Sequence, residues 1–292
     1  MAKKLILLFL AVIMIMVPLN TFAVETDESS NTEVSDNVEN TEAKGSDTEE
    51  TTKAPEKVKK SKGKWKVKKH YTYFYRNKKA LKGLKKIGKR TYYFDKNGKQ
   101  RTGWQKIGKN YYYFKIGNGK NGYMLKEKKV NKIYLKKSGK AKVTKSNKKR
   151  LKTLVYATKL VEKATKPDMK KKVKLKKCYD YILKNYKYKG SLRFHYSKRW
   201  EEEYAYFMYT NKHGSCYNYG ATFAFAANAC GYKKCYAVSS GGHGWAEVDG
   251  RVTDVSWENQ DKRNHYFHFD INLSGKHGRP NYKRYGKYRK KI

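Results

Sequence analysis

The sequence predicts an α+β protein, with an all-β module of hairpin repeats ahead of a domain in which helices precede an antiparallel sheet. Three observations predict it. A 20-residue aromatic period begins at Gly63, an apolar stripe at helical spacing runs from Leu175 to Tyr186, and strand-like alternation sets in after Gly231. The 292 residues suffice for one sizeable core and a smaller module beside it.

Residues 1–23 are expected to be a secretory signal peptide. Lys3 and Lys4 precede an apolar run from Leu5 to Val17, and Thr21 and Ala23 supply small residues for cleavage. The run is short for a membrane span, so no transmembrane anchor is expected after cleavage, an uncleaved anchor being the alternative. Residues 24–60 are rich in Thr, Ser, Asn, Asp and Glu with almost nothing apolar, and they predict a disordered acidic spacer.

Charge is unevenly spread. Eleven acidic residues lie between Glu25 and Glu56, whereas from Lys57 onward fourteen acids face 65 lysines and arginines, a net charge of about +51. Such a surface calls for a polyanionic partner. The basic residues are scattered through every element rather than gathered on one arm. That pattern favours the polymers of a cell envelope and gives no reason to expect a specific nucleic-acid partner.

Residues 61–144 hold the repeats. Gly63, Gly83 and Gly103 are 20 residues apart, as are Tyr73-Phe74, Tyr93-Phe94 and Tyr113-Phe114. The best copies run from Gly83 to Phe94 and from Gly103 to Phe114, and a weaker one passes through Ile133, Tyr134, Leu135 and Gly139. Aromatic strands joined by glycine turns predict one hairpin per copy, and copies must stack to bury a face. This period and wording resemble the cell-wall-binding repeats of Gram-positive surface proteins, of the choline-binding or glucan-binding type. The resemblance implies aromatic contacts to a wall ligand, with Trp104, Tyr92 and Tyr112 as candidates; the alternative is that they are core. Leu84 stands where the next copy has Trp104, and Tyr replaces Trp in the Tyr-Tyr-Phe segments. These departures turn the expectation from choline towards another wall polymer, teichoic acid or polysaccharide.

Residues 145–292 form the second domain, entered through a basic linker, Lys145 to Arg150, and leaving as a basic C-terminal tail. Leu175, Cys178, Tyr179, Ile182, Leu183 and Tyr186 lie on one helical face, so Cys178 reads as a packing thiol. Trp200, Tyr204, Phe207 and Met208 make a second stripe. The run from Ala221 to Ala227 is apolar nearly all round and predicts a buried central helix. Strands are expected at Cys235–Ser239, Gly244–Val248 and Val252–Trp257, with Asp249-Gly250 as a hairpin turn.

Cys216 heads the central helix. Ser215 is a plausible N-cap, and the positive end of a helix favours a thiolate. A base and an orienting carboxylate are available downstream in His243 and Asp254, giving Cys–His–Asp in chain order. His195, His213, His265 and His268 compete with His243, but only His243 lies on a strand beside an acid-bearing strand. Asp249 is discounted because turns supply Asp for backbone reasons. The residues Gly214-Ser215-Cys216, His243 to Val248, and Asp254 before Trp257 resemble the transglutaminase-like superfamily over roughly Val155 to Trp257. The resemblance implies a papain-like transglutaminase core. It makes Cys216 the nucleophile, His243 the base and Asp254 its orienter, acting on amide or peptide carbonyls through a thioester. Neither cofactor nor metal is implied. Trp245 is expected to pack over the site or touch substrate. The Cys216 backbone N–H is an oxyanion donor, with Trp200 or a nearby Tyr as its complement. If Cys216 is free, at most one disulfide forms among Cys178, Cys230 and Cys235, and Cys230–Cys235 is the pairing left open. The expected protein is a secreted, wall-attached protease, amidase or acyltransferase acting on wall peptides or proteins. The alternative is an inactive wall- or polyanion-binding surface protein.

Overall fold

Glycine turns cut the repeat region into hairpins. The computed structural model describes residues 63–190, 193–261, 266–276, 279–282 and 287–292. The expected leader and spacer, and His265, lie outside them. Strand β1 (Lys64–Lys68) pairs with β2 (Tyr71–Arg76), which continues to β3 (Lys79–Ala80); β4 (Gly83–Ile87) pairs with β5 (Arg90–Phe94) and β5 with β6 (Gln100–Arg101). Two-stranded hairpins follow: β7 (Gly103–Ile107) with β8 (Asn110–Phe114), and β9 (Lys128–Val130) with β10 (Ile133–Leu135). Gly88 and Gly108 turn two equivalent hairpins at φ +57° and +55°, where a β-carbon would be strained. Copies stack through rings: Trp65 meets Phe74 and Tyr92 edge-on at 5.0 Å, and Tyr93 stacks on Phe114 at 5.9 Å. Each such pair adds about 0.5–1.5 kcal/mol beyond its buried area.

The expected basic linker is instead the start of a helix. Helix α1 spans Lys148–Ala164, and Arg150 is buried within it, 3.2 Å from Glu201 and 3.4 Å from Glu202. A basic run reads as solvated only until acids from another element meet it, and here α3 (Trp200–Asn211) turns two carboxylates inward.

The repeats do not stand apart from the helices. Trp104 lies between them with 2% of its surface exposed; its backbone N–H donates to Thr158 Oγ1 of α1, and its indole N–H donates to Asn131. Asn131 in turn donates to Asn228 at 2.8 Å, and Gln105 donates to Glu162 at 3.0 Å. Trp104, Tyr111, Ile133 and Leu135 join the same apolar core as Leu151, Leu154 and Phe225. Leu84, at the equivalent place one copy earlier, faces solvent. The Leu-to-Trp difference therefore follows what each copy packs against.

Helix α4 (Cys216–Ala229) is the central element, enclosed by α1, by α2 (Lys171–Asn185), by α3 and by the sheet. The five strands run in the order β16 (Phe269–Asp270), β15 (Arg251–Thr253), β14 (Gly244–Val248), β13 (Cys235–Ser239), β17 (Tyr288–Lys291), all antiparallel. Two expectations change here. The strand after the Asp249-Gly250 turn ends at Thr253, because Asp254 ends the ladder and α5 (Val255–Asp261) begins beside it. The basic tail is strand β17, and the Ile292 N–H donates to Cys235 O at 3.0 Å. A short parallel pair, β11 (Lys187–Tyr188) on β12 (His213–Gly214), sets Tyr188 opposite Gly214. All four cysteines are free thiols; Cys178 packs against Cys230 with sulfurs 3.6 Å apart, so Cys230 and Cys235 are not joined. Among the described residues no helix is long and apolar enough to cross a membrane.

Candidate active site

Cys216 is the first residue of α4, and the turn before it is built to hold it there. The Ser215 N–H donates to the Asn218 side chain at 2.9 Å, and the Asn218 amide donates to Tyr204 O, tying the helix start to α3. A β-carbon at Gly214 would fall 2.5 Å from Asn218, so this turn needs glycine. Two further glycines set the distance across the site. A β-carbon on Gly220 would fall 2.6 Å from the Trp245 backbone, and one on Gly244 would fall 2.7 Å from Tyr217 Cα. Helix α4 therefore lies directly on β14, whose preceding residue is His243.

His243 and Asp254 meet. The imidazole Nε2 is 2.5 Å from Asp254 Oδ2, and the Cys216 side chain is near enough to the ring to add to the rise in its pKa. Asp254 is fully buried and has donors on both oxygens. Oδ1 accepts from Ser256 Oγ at 2.8 Å and from the Trp257 N–H at 3.0 Å, while Oδ2 accepts the Tyr282 hydroxyl at 2.8 Å as well as His243. Burial works against the charge on each partner. It pulls the His243 pKa down, but the charge and hydrogen bond of Asp254, with Cys216 adding to them, outweigh it and raise the value to about 10. Burial likewise pushes Asp254 up, and His243 with the Trp257 and Ser256 bonds brings it below the ordinary carboxylate range. The imidazole is thus held protonated beside the sulfur, an electrostatic partner for a thiolate. Trp245 lies 6.1 Å from His243 with rings nearly parallel, and Trp257 meets it edge-on at 5.4 Å, so the imidazole is walled on two sides.

Residues 158–271 match the model of the transglutaminase-like superfamily, and residues 81–128 match that of the choline-binding repeat. The chain joins a transglutaminase-like domain to choline-binding-type repeats. Comparison with curated proteins gives no match. Among solved structures the chain is similar to choline-binding protein F of Streptococcus pneumoniae, at 30% identity over 27% of each chain with a TM-score of 0.24. It is also similar to a pneumococcal cell-wall endolysin from phage Cp-1 complexed with choline, at 31% identity over 30% of this chain and 27% of that one, TM-score 0.25. The chain spans about a quarter of the length of these relatives.

In the transglutaminase-like domain the structure brings Cys216, His243 and Asp254 together. Of the competing histidines among the described residues, His213 packs edge-on against Phe207 and His268 lies near Tyr232, while the His195 N–H donates to the Tyr204 hydroxyl. Trp245 is 1% exposed and packs over the imidazole rather than facing substrate. Trp200 is fully buried against Phe194 and Tyr204. Three tyrosines, Tyr188, Tyr204 and Tyr217, lie close enough to Cys216 for its charge to raise their pKa values beyond what burial does. In the choline-binding-type repeats Trp104, Tyr92 and Tyr112 are all buried, at 2%, 3% and 7%, and pack as core instead of presenting faces to a ligand. Their hydrophobic bulk was needed between layers. Gly220, Gly244 and Tyr282 are site residues to which the sequence reading gave no role; the sequence marks the two glycines only by their places four residues after Cys216 and one after His243.

Proposed function

We propose that the chain is a cell-wall-attached thiol enzyme that transfers acyl groups from carboxamide or peptide carbonyls by way of a thioester on Cys216. The observation that carries this reading is the His243–Asp254 contact at 2.5 Å with Cys216 beside the imidazole. The Cys216 sulfur attacks the carbonyl carbon and the C=O pair moves onto oxygen. The Cys216 backbone N–H, unpaired in the first helical turn, stabilises that oxyanion. Tyr188 is the second donor in this reading: it lies across from Gly214, two residues before the nucleophile, and its phenol stays protonated because burial and the Cys216 charge raise its pKa. As the oxyanion collapses, the imidazolium of His243 passes its proton to the departing amine and the C–N bond breaks. Water or a second amine then attacks the thioester, giving a proton to His243 and displacing the Cys216 thiolate.

The repeats supply attachment. Two of their part-exposed tyrosine faces are occupied by the chain's own cations: Arg90 over Tyr123 and Lys99 over Tyr71, each at 4.1 Å. A choline ammonium would have to displace them, whereas an anionic wall polymer would be met by them. Teichoic acid is therefore the favoured wall ligand, and the substrates are peptides or proteins held near it.

The test is incubation with a glutamine-bearing peptide and a labelled primary amine. Label joined to peptide identifies a transferase, and release of ammonia without label identifies an amidase, both lost in Cys216→Ala. Absence of any Cys216-dependent change across amide, peptide and ester donors would overturn the reading.

A further inference from the structure

Asp254 carries a partner that lies beyond residues 158–271, the stretch shared with the transglutaminase-like superfamily. Tyr282 is 2% exposed, and its hydroxyl donates to Asp254 Oδ2 at 2.8 Å, the same oxygen that holds His243. Its ring packs edge-on against Trp245 at 5.1 Å and lies 5.5 Å from Phe269 and 6.3 Å from His243, so the hydroxyl has one direction in which to point. Burial and the Asp254 charge push the phenol pKa far up, so it stays a donor at any working pH. A few residues later the chain enters β17, which pairs along the free edge of β13 from Tyr236 to Ser239.

We propose that Tyr282 is a positioning residue for the acyl-transfer site, completing a relay Tyr282–Asp254–His243–Cys216 from the C-terminal segment. A carboxylate oxygen shared by two donors holds the imidazole in one plane beside Cys216. The hydroxyl also withdraws charge from Asp254 and thereby sets how tightly the imidazolium keeps its proton. The groups that face the pair are Cys216 from α4, Tyr188 from β11, Tyr179 from α2, and Arg279 beside Tyr282 itself. Among the described donors to Asp254, Tyr282 shares Oδ2 with His243, whereas Ser256 and Trp257 bond Oδ1.

The role in turnover rests on the thiol-enzyme reading, so the decisive experiment reads His243 directly. Tyr282→Phe removes the hydroxyl and keeps the ring. Without that donor Asp254 holds the imidazolium more strongly, and the His243 titration followed by NMR should move up by about half a pH unit or more. On an amide substrate kcat should fall about tenfold, the scale of a lost hydrogen bond to a charged group, with KM little changed. Tyr282→Gln, which retains a donor, should recover part of the loss. An unmoved His243 titration in Tyr282→Phe would overturn the proposal. Failure of the enzyme reading looks different: no Cys216-dependent turnover in the unmodified chain, with the His243 shift still present. Should the Phe variant not fold, the unmodified chain gives the answer. Its Tyr282 hydroxyl proton should exchange slowly with water and show a cross-peak to the His243 ring, and a fast-exchanging hydroxyl would count against the relay.

Discussion

Gly220 on the central helix faces the backbone of Trp245 so closely that a β-carbon there would fall 2.6 Å from its carbonyl. The contact sets how near the thiol of α4 comes to the strand that follows His243. Gly220→Ala and Gly244→Ala should each destabilise the fold by about 1–3 kcal/mol, because backbone rather than a flexible side chain must give way. Gly242→Ala, in open space with an ordinary φ, should be neutral. Thermal denaturation of the three variants checks this, and equal melting temperatures would refute the close-packing account.

Thiol reactivity should separate one cysteine from three. Cys178 and Cys235 are buried with pKa values pushed up, the first through its bond to Cys230 and by burial, the second by burial and Asp249. Iodoacetamide on the native chain should therefore modify Cys216 first, as read by peptide mass mapping, and His243→Ala should slow that reaction at least about tenfold. Equal slow modification of all four would remove the nucleophile.

The His243–Asp254 pair makes stability depend on pH in both directions. The imidazole is raised from its ordinary 6.5 to about 10, so its contribution is complete below pH 6.5 and drains as pH climbs towards 10. The carboxyl is lowered from 3.8, so its contribution is present above that value and is lost as pH falls through the depressed one. Asp254→Asn should flatten the decline in melting temperature between pH 6.5 and 10. A decline as steep as in the unmodified chain would assign it to other groups.

Arg150 bridges two carboxylates in a nearly dry setting, its own side chain 5% exposed and those of Glu201 and Glu202 2% and 1%. Burial raises the Glu202 pKa even with Arg150 beside it. Arg150→Met should cost about 3–5 kcal/mol, since it strands Glu201 and leaves Glu202 with Arg199 at 3.3 Å. Adding Glu201→Gln and Glu202→Gln to that variant should return much of the loss. Urea denaturation of the single and triple variants tests the coupling.

Trp104→Ala should destabilise by about 3–5 kcal/mol and loosen the repeats from α1, whereas Leu84→Ala should change little. Proteolysis between the repeats and α1 should follow the same split. Trp104→Phe should leave retention on purified wall material intact, because the indole is core. Loss of retention in that variant would restore Trp104 as a ligand contact.

Much of this was legible from periodicity. The stripe from Leu175 to Tyr186, the all-apolar run after Cys216 and the Asp249-Gly250 turn became α2, α4 and the β14–β15 hairpin because each pattern fits one local geometry. What was illegible depended on partners distant in the chain. Arg150 looked solvated until Glu201 and Glu202 turned inward to meet it. Trp104 looked like a ligand platform because its own hairpin cannot bury it, and α1 does. Asp254 reads as strand from its apolar neighbours, yet its carboxylate takes the Trp257 N–H and starts α5. Tyr282 sits among basic residues with no period to flag it, and only the folded sheet brings it to Asp254.

Strand β17 follows β13 by about 50 residues, so it docks on a strand that is made well before it. Until that ladder closes, Tyr282 has no fixed anchor and Asp254 lacks one of its donors. The nucleophile is thus made before the Tyr282 donor is, and Asp254 gains that donor only once the sheet closes on β17. Chains stalled before residue 282 should alkylate Cys216 more slowly than chains that carry Tyr282 and β17.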